Sequence, residues 1–353
     1  MTSITDAPER AWAEVDLTAL AGNARTVARV SGTRLLPMIK ADAYGIGAPA
    51  AVRALAPLSP WGFGVATLEE AAALRATGVD HPLVAFSPLH PRQIPSAVAH
   101  GVRPVIGDTA ALRDWIGASG GPFHAEIDTG MGRTGFRWDE TGGWRELLSD
   151  AGACEGIFTH FHSAETDPGS VTVQWERLQA IVSTLRHRPA LVHAANSAAA
   201  LGGPAFAGDL VRPGIFLYGG NAGHRQAAPV VRLQARVVAI RTIRTGDSVS
   251  YDAIWVAKAD TVVATLGIGY ADGLHRSLSN CGVVELNGAV VPIVGRVTMD
   301  FTMVVPAGPC QIGDVATIFG GRVSLDDQAT RAGTISYELL TAMGPRIQRR
   351  YHG

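Results

Sequence analysis

The chain has 353 residues, 47% of them hydrophobic and 17% charged, with a formal net charge of -1. That size and apolar share can fill a large core and favour two domains. The near-zero charge argues against a nucleic-acid partner or an anionic membrane surface, either of which would call for a basic excess.

Met1 to Glu14 carries Asp6, Glu9, Arg10 and Glu14 and lacks an apolar segment, so neither a signal peptide nor a membrane anchor is expected. Asp16 then caps a helix over 17–30. Strand-like runs follow at 35–40, 61–67, 83–87, 103–107, 123–129, 156–161, 191–196 and 210–216, with helical patterns between them such as 68–75 and 171–188. Eight strands alternating with helices fit a (β/α)8 TIM-type barrel better than an open sheet. Beyond Pro229 the texture changes to strands at 230–243, 248–251, 261–268, 283–286, 290–294, 301–305 and 315–319, with helical patterns nearly absent until Thr334. Asn287-Gly288 between apolar runs signals a hairpin. The expected organisation is a barrel over 1–227, whose first ten or so residues pack on the second domain, and a β-rich C-terminal domain over 228–353. Cys154, Cys281 and Cys310 are far apart and form no CxxC pair. The economical reading is a reduced, cytoplasmic protein with each cysteine as buried filler.

The polar residues at the barrel strand ends form a coherent set. Leu35-Leu36-Pro37-Met38-Ile39-Lys40 delivers one lysine to a strand end, with Tyr44-Gly45 close behind. A lysine partly removed from water loses basicity and becomes an amine usable for Schiff-base formation. Further along come Asp128-Thr129-Gly130-Met131-Gly132-Arg133, Thr159-His160-Phe161, Asn196-Ser197 and Arg212-Pro213-Gly214-Ile215. A serine hydroxyl and the N–H groups of a glycine turn after the last two strands suit a phosphate. Opposite a reactive lysine, they suggest pyridoxal phosphate. Metal-ligand spacing is poor: His275 is the only histidine between Pro229 and Tyr351, and no metal is expected.

At this point the chain closely resembles the alanine racemases. The strings above, with Val249-Ser250-Tyr251, Gly267-Ile268-Gly269-Tyr270-Ala271-Asp272-Gly273, Gly295-Arg296-Val297-Thr298-Met299-Asp300 and Ile335-Ser336-Tyr337-Glu338, match that family's motifs in order over nearly the whole chain. The resemblance implies interconversion of L- and D-alanine on pyridoxal phosphate, for peptidoglycan supply or alanine catabolism. Lys40 would hold the cofactor and serve as one base. Tyr251 of the partner subunit would be the base on the opposite face, which makes a homodimer with shared sites the expected partner arrangement. Arg212 would face the pyridine nitrogen with His160 in support. Tyr44, Asn196, Ser197, Gly214, Ile215 and Tyr337 would bind the cofactor, mostly at its phosphate. Arg133 would clamp the substrate carboxylate, Met299 and Asp300 of the partner would complete the pocket, and Tyr270 would narrow the entrance.

The chain departs from the family at three places. Glu126 stands where many members carry a carbamylated lysine, and it could supply that negative charge directly. Asp252 follows Tyr251 where glycine is common, and Ile46 replaces a common histidine. A broader-specificity racemase acting on serine or other amino acids remains an alternative, as does a non-catalytic pyridoxal-phosphate binder, although such binders lack the β domain. A basic-amino-acid decarboxylase is disfavoured because no cysteine follows Cys310.

Overall fold

The computed structural model describes residues 9–353, so most of the Met1–Glu14 stretch lies outside the described residues. Asp16 caps the helix Leu17–Ser31 by accepting from the Ala19 N–H, and Gly32 closes that helix in the left-handed conformation. Short parallel strands then run in order at Phe63–Val65, Leu83–Ala85, Val102–Ile106, Phe123–Asp128, Cys154–Phe158 and Leu191–His193. The ring closes through Arg34–Leu35, which pairs in parallel with Leu210–Val211, and through a parallel bridge from Met38 to Gly64. These strands are mostly apolar because both of their faces are buried, with Arg103, His124, Glu126, Glu155 and His193 among the exceptions.

The second unit is an antiparallel sheet that also curls on itself. Its long strand Val231–Ile243 pairs with Val315–Phe319 through its first half and with Thr261–Leu266 through its second. Thr302–Val304, Ala289–Val294 and Val283–Leu286 complete the circuit. The hairpin at Asn287-Gly288 forms as expected, with φ of 50° and 79° at its two turn residues. The first and last strands of the described residues join this sheet: Ala11–Asp16 lies between Val231–Ile243, to which it is antiparallel, and Gln348–His352, to which it is parallel.

Several expectations change. Residues 248–251 form no strand beyond a single bridge from Ser248 to Val256, because Ser250, Asp252 and Ala253 have positive φ and turn the chain away. The strand expected over 210–216 stops at Val211, and Ile215–Tyr218 is a 3-10 turn. A helix, Leu325–Ala332, precedes Thr334; Ser324 caps it, and it buries Leu325, Gln328, Ala329 and Ala332 at helical spacing. Cys281 is exposed, and Cys154 and Cys310 are partly exposed, so the three are free thiols without being uniformly buried filler. No helix among the described residues is long and apolar enough to cross a membrane.

Candidate active site

Lys40 leaves the barrel edge and opens a turn in which Ala41, Asp42, Ala43 and Tyr44 all have φ between 51° and 56°. Each non-glycine residue in the left-handed region costs about 1–2 kcal/mol, so neighbours must hold the turn. Glu70 does so by accepting from the N–H groups of Ala41 and Ala66, both at 2.7 Å. Asp42 accepts from the Ala48 N–H at 2.7 Å. The Tyr44 ring stacks on Tyr218, with centroids 4.5 Å apart, and the Tyr218 hydroxyl donates to the Met38 carbonyl at 2.7 Å. Lys40 is thereby half-buried. Burial, and then the positive charge of Arg133, lower its pKa, with Glu70 opposing.

The strained turn also delivers Tyr44 to the far side of the mouth. A Cβ added at Gly214 would lie 2.2 Å from the Tyr44 hydroxyl, so only glycine lets these two groups meet. The Gly214 N–H donates to Ser197 Oγ at 2.9 Å. Ser197 opens the short helix Ser197–Leu201, which Asn196 caps through the Ala199 N–H. Tyr337, from the helix Ser336–Thr341, brings its ring within 5.9 Å of Tyr44, and Ile215 is buried beside them. Burial raises both phenols, with Tyr337 pushed up to about 12. The Tyr44 hydroxyl makes no hydrogen bond to another described residue. A neutral tyrosine, a serine and a glycine turn therefore converge on one small space.

Arg212 is 4% exposed and is held by three fixed acceptors. Its Nη2 donates to the carbonyls of Thr159 (2.8 Å) and Ala194 (2.9 Å), and its Nη1 lies 2.6 Å from His193 Nδ1. His160 Nδ1 is 3.3 Å from the same Nη2. Burial, then Arg212, then Arg133 depress His160 to about 3, so at neutral pH it is an uncharged acceptor. Burial also pushes Arg212 down, to about 9, against the attraction of Glu126; the guanidinium stays charged at neutral pH.

Arg133 sits on the glycine-rich loop after Phe123–Asp128. Asp128 organises that loop by accepting from the N–H groups of Gly130 and Gly132, at 2.9 and 3.1 Å. Glu126 is buried, with Oε1 3.9 Å from Arg133 Nη2 and Oε2 accepting from the Thr134 hydroxyl at 2.7 Å. Burial raises its pKa, while Thr134 and Arg133 oppose.

Tyr251, Tyr270, Met299 and Asp300 are not in this mouth. They gather on the second unit, where the Tyr270 and Ala271 N–H groups donate to the carbonyls of Thr298 and Met299. Gly269 makes that approach possible: a Cβ there would lie 2.3 Å from the Thr298 carbonyl oxygen. Tyr251 is 69% exposed and Met299 53%. Tyr251 lines an open groove with Arg241, Val249, Thr298, Phe301 and Met303. Asp252 keeps φ at 61° and pairs with Arg296 at 3.0 Å, which explains physically why a glycine would also suit that position.

The sequence reading passed over several supports. Glu70 reads as an ordinary first-turn helix residue, and His193 as a strand residue. Asp272, 1% exposed, binds Arg10 at 2.7 Å and Arg346 at 3.0 Å, and Arg346 in turn grips Asp300 at 2.9 Å. Only the presence of Asp272 within the Gly267–Gly273 string hinted at its role.

Two family models match the chain in tandem: the alanine racemase N-terminal domain over residues 15–222 and the alanine racemase C-terminal domain over residues 230–351. The chain belongs to the alanine racemase family. An alanine racemase of Acidiphilium cryptum is 37% identical over 347 residues, covering 95% of this chain and 97% of its own. A catabolic alanine racemase of Rhizobium johnstonii is also 37% identical, over 352 residues, with 96% and 93% covered. Among solved structures, the alanine racemase of Bartonella henselae with covalently bound pyridoxal phosphate superposes with a TM-score of 0.91 at 30% identity, covering 98% of this chain and 100% of that one. That of Bacillus anthracis with bound L-Ala-P gives 0.89 at 30% identity, with 98% and 96% covered. Within this alanine racemase fold, the barrel mouth and the second-unit loops are two separate clusters on one chain.

Proposed function

We propose that this chain interconverts L-alanine and D-alanine using pyridoxal phosphate, in a homodimer whose two sites each draw on both subunits. The observation that carries the reading is the half-buried Lys40, fixed by a left-handed turn beside the space shared by Tyr44, Ser197 and Gly214. The residues fit the cofactor: a glycine that a Cβ would block and the hydroxyl of the buried Tyr44, without a partner among the described residues, suit a phosphate, and Arg212 presents a cation opposite. Tyr44, Asn196, Ser197, Gly214, Ile215 and Tyr337 hold the cofactor on its phosphate side, and Arg212 faces its ring nitrogen with His160 in support. When bound, pyridoxal phosphate supplies the electron sink that makes the α-proton of alanine acidic enough to remove.

The chain's own groups do the rest. Lys40, whose lowered basicity leaves a share of free amine, attaches the cofactor and later takes or returns the α-proton on one face. Tyr251 of the second unit serves the opposite face, because inversion needs a proton removed from one side and returned to the other. Arg133 binds the substrate carboxylate, and Glu126 orients Arg133. Arg212 cannot accept a proton from a ring nitrogen, which favours prompt return of the α-proton over longer-lived side chemistry. Met299 and Asp300 complete the pocket and Tyr270 narrows its entrance. Tyr251 and Met299 are exposed on their own chain, which supports a partner subunit as their destination. The functional division falls near 227/228, and the free thiols suit a cytoplasmic setting.

The test is proton NMR of L-alanine in deuterium oxide with the cofactor-loaded protein, together with chiral analysis of the product. The expected result is loss of the α-proton signal as D-alanine accumulates. Exchange with retained L configuration would show that one base works alone, and absence of exchange would overturn the alanine reading.

A further inference from the structure

Arg212 is one end of a buried polar chain that crosses the barrel. Its Nη1 lies 2.6 Å from His193 Nδ1, and His193 Nε2 lies 2.9 Å from His124 Nδ1. Both rings are fully buried. Among the described residues His124 Nε2 has no hydrogen-bond partner; the nearest acidic group is Glu155 Oε2, 3.6 Å away, too far for a formed hydrogen bond. Glu155 is itself held by Arg103 at 2.5 Å, at the amino-terminal end of the strands and so opposite the mouth that carries Lys40.

Donor counting gives this chain a single polarity. A guanidinium only donates, so His193 Nδ1 accepts and its proton sits on Nε2. That N–H meets His124 Nδ1, which must accept, so the His124 proton sits on Nε2 and points toward the Glu155 carboxylate. A cation at one end and an anion at the other therefore demand the same tautomer of both rings. Packing prevents escape by rotation. His193 stacks flat on Phe158, with centroids 4.9 Å apart, and Trp61 lies 5.5 Å from His124. Gly156 leaves the room His124 needs, since a Cβ there would come within 2.6 Å of its Nδ1. Burial lowers the pKa of both imidazoles, which favours their neutral forms. Near Glu155, burial acts upward but His124 and Arg103 prevail and hold it at about 2.

We infer that Glu155 and His124 are positioning residues for the known chemistry: from the closed end of the barrel they lock the tautomer of His193 and so aim the guanidinium of Arg212. With both Nη2 protons on carbonyls and one Nη1 proton on His193, Nε–H and the second Nη1–H have no protein acceptor among the described residues and are free to meet a ligand. If the His193 tautomer reversed, Nδ1–H would face the guanidinium's own N–H and tilt it. This inference rests on Arg212 facing the cofactor ring.

The test uses selectively 15N-histidine-labelled protein and multiple-bond 1H–15N correlation, without and with pyridoxal phosphate. Three histidines, His124, His160 and His193, should report the pure Nε2–H tautomer from pH 5 to 9, and His124→Phe should remove one of them. Glu155→Leu leaves Arg212 alone to hold the tautomer, so the His124 and His193 signals should shift toward mixed tautomers, pyridoxal-phosphate binding should weaken about tenfold and kcat should fall with KM for alanine little changed. Glu155→Gln, which keeps an acceptor, should restore the tautomers. A protonated or Nδ1–H form of either ring in the wild type would overturn the inference, whatever the variants do. So would unchanged tautomers and cofactor affinity in Glu155→Leu beside a lowered Tm, the result of a merely structural role. If the wild type neither binds the cofactor nor racemises alanine while the tautomers stand, the failure belongs to the functional reading.

Discussion

The barrel mouth and the loops of the second unit both carry proposed site residues but are built on opposite plans. In the mouth, side chains are fixed by partners from their own chain. Arg212 spends donors on two carbonyls and a histidine, Ser197 accepts from Gly214, and Tyr44 is stacked on Tyr218. In the second unit the backbone is fixed with equal care, by Gly269 against Thr298 and by Asp272 against Arg10 and Arg346. The side chains proposed to work from it, Tyr251 and Met299, are nevertheless exposed on their own chain. On the proposed reading, one half is a pocket that lacks a group on one face, and the other is a rigid mount that presents such a group.

The largest test of that contrast is to separate the halves genetically. Lys40→Ala should lower kcat by at least about 10³-fold, and Tyr251→Ala should do likewise with L-alanine. If each site takes Lys40 from one subunit and Tyr251 from the other, mixing the two inactive proteins restores activity. Half of the randomly exchanged dimers would be hybrids with one of two sites intact, giving about a quarter of wild-type turnover. A mixture that stays inactive after subunit exchange has been verified by mass labelling would place both halves within one chain and break the comparison.

Much of the pocket was legible because its residue types announce their duties at strand ends. The barrel strands read as apolar runs cut by turn signals, and the hairpin at Asn287-Gly288 needs the left-handed conformations that those two residues tolerate. The left-handed turn after Lys40 was not legible. Ala41-Asp42-Ala43 has no glycine, and the conformation persists because Glu70 accepts from the Ala41 N–H and the Asp42 side chain accepts from the Ala48 N–H. The supports of the second half were hidden by distance, since Arg10 and Asp272 are 262 positions apart. Residues 248–251 misled for a related reason: alternating apolar and polar residues suggest a strand, but three positive φ values around Tyr251 make a mount for one exposed side chain.

A smaller effect is expected where the pocket is tightest. In Gly214→Ala the new Cβ would overlap the Tyr44 hydroxyl, which lies 2.2 Å from that position, and overpacking of this kind costs about 1–3 kcal/mol. The Tm should fall and pyridoxal-phosphate affinity, followed by absorbance titration, should weaken. Tyr44→Phe separates the causes: it removes the hydroxyl without crowding, so affinity should drop with less loss of Tm. Wild-type affinity in both variants would remove Tyr44 and Gly214 from the phosphate side and leave the cradle as packing alone.

The smallest effect probes the edge of the pocket half, where Glu126 meets the exposed Arg133. Their 3.9 Å separation and the partial exposure of Arg133 limit the pair to about 1 kcal/mol, so Glu126→Gln should raise KM for alanine about fivefold with a smaller change in kcat. The sign of the pH dependence follows from the raised pKa of Glu126. Above that pKa the carboxylate is charged and holds Arg133; as pH falls through it, the charge is lost and KM rises. The Thr134 hydroxyl can still donate to a neutral acid or an amide, so the Gln variant mimics the protonated state without losing its hydrogen bond. KM should therefore climb toward acid pH in the wild type and stay high and flat in Glu126→Gln. Parallel profiles in the two proteins would mean that the orientation of Arg133 comes from the loop that Asp128 organises through Gly130 and Gly132, and that the buried charge of Glu126 serves Arg212 instead.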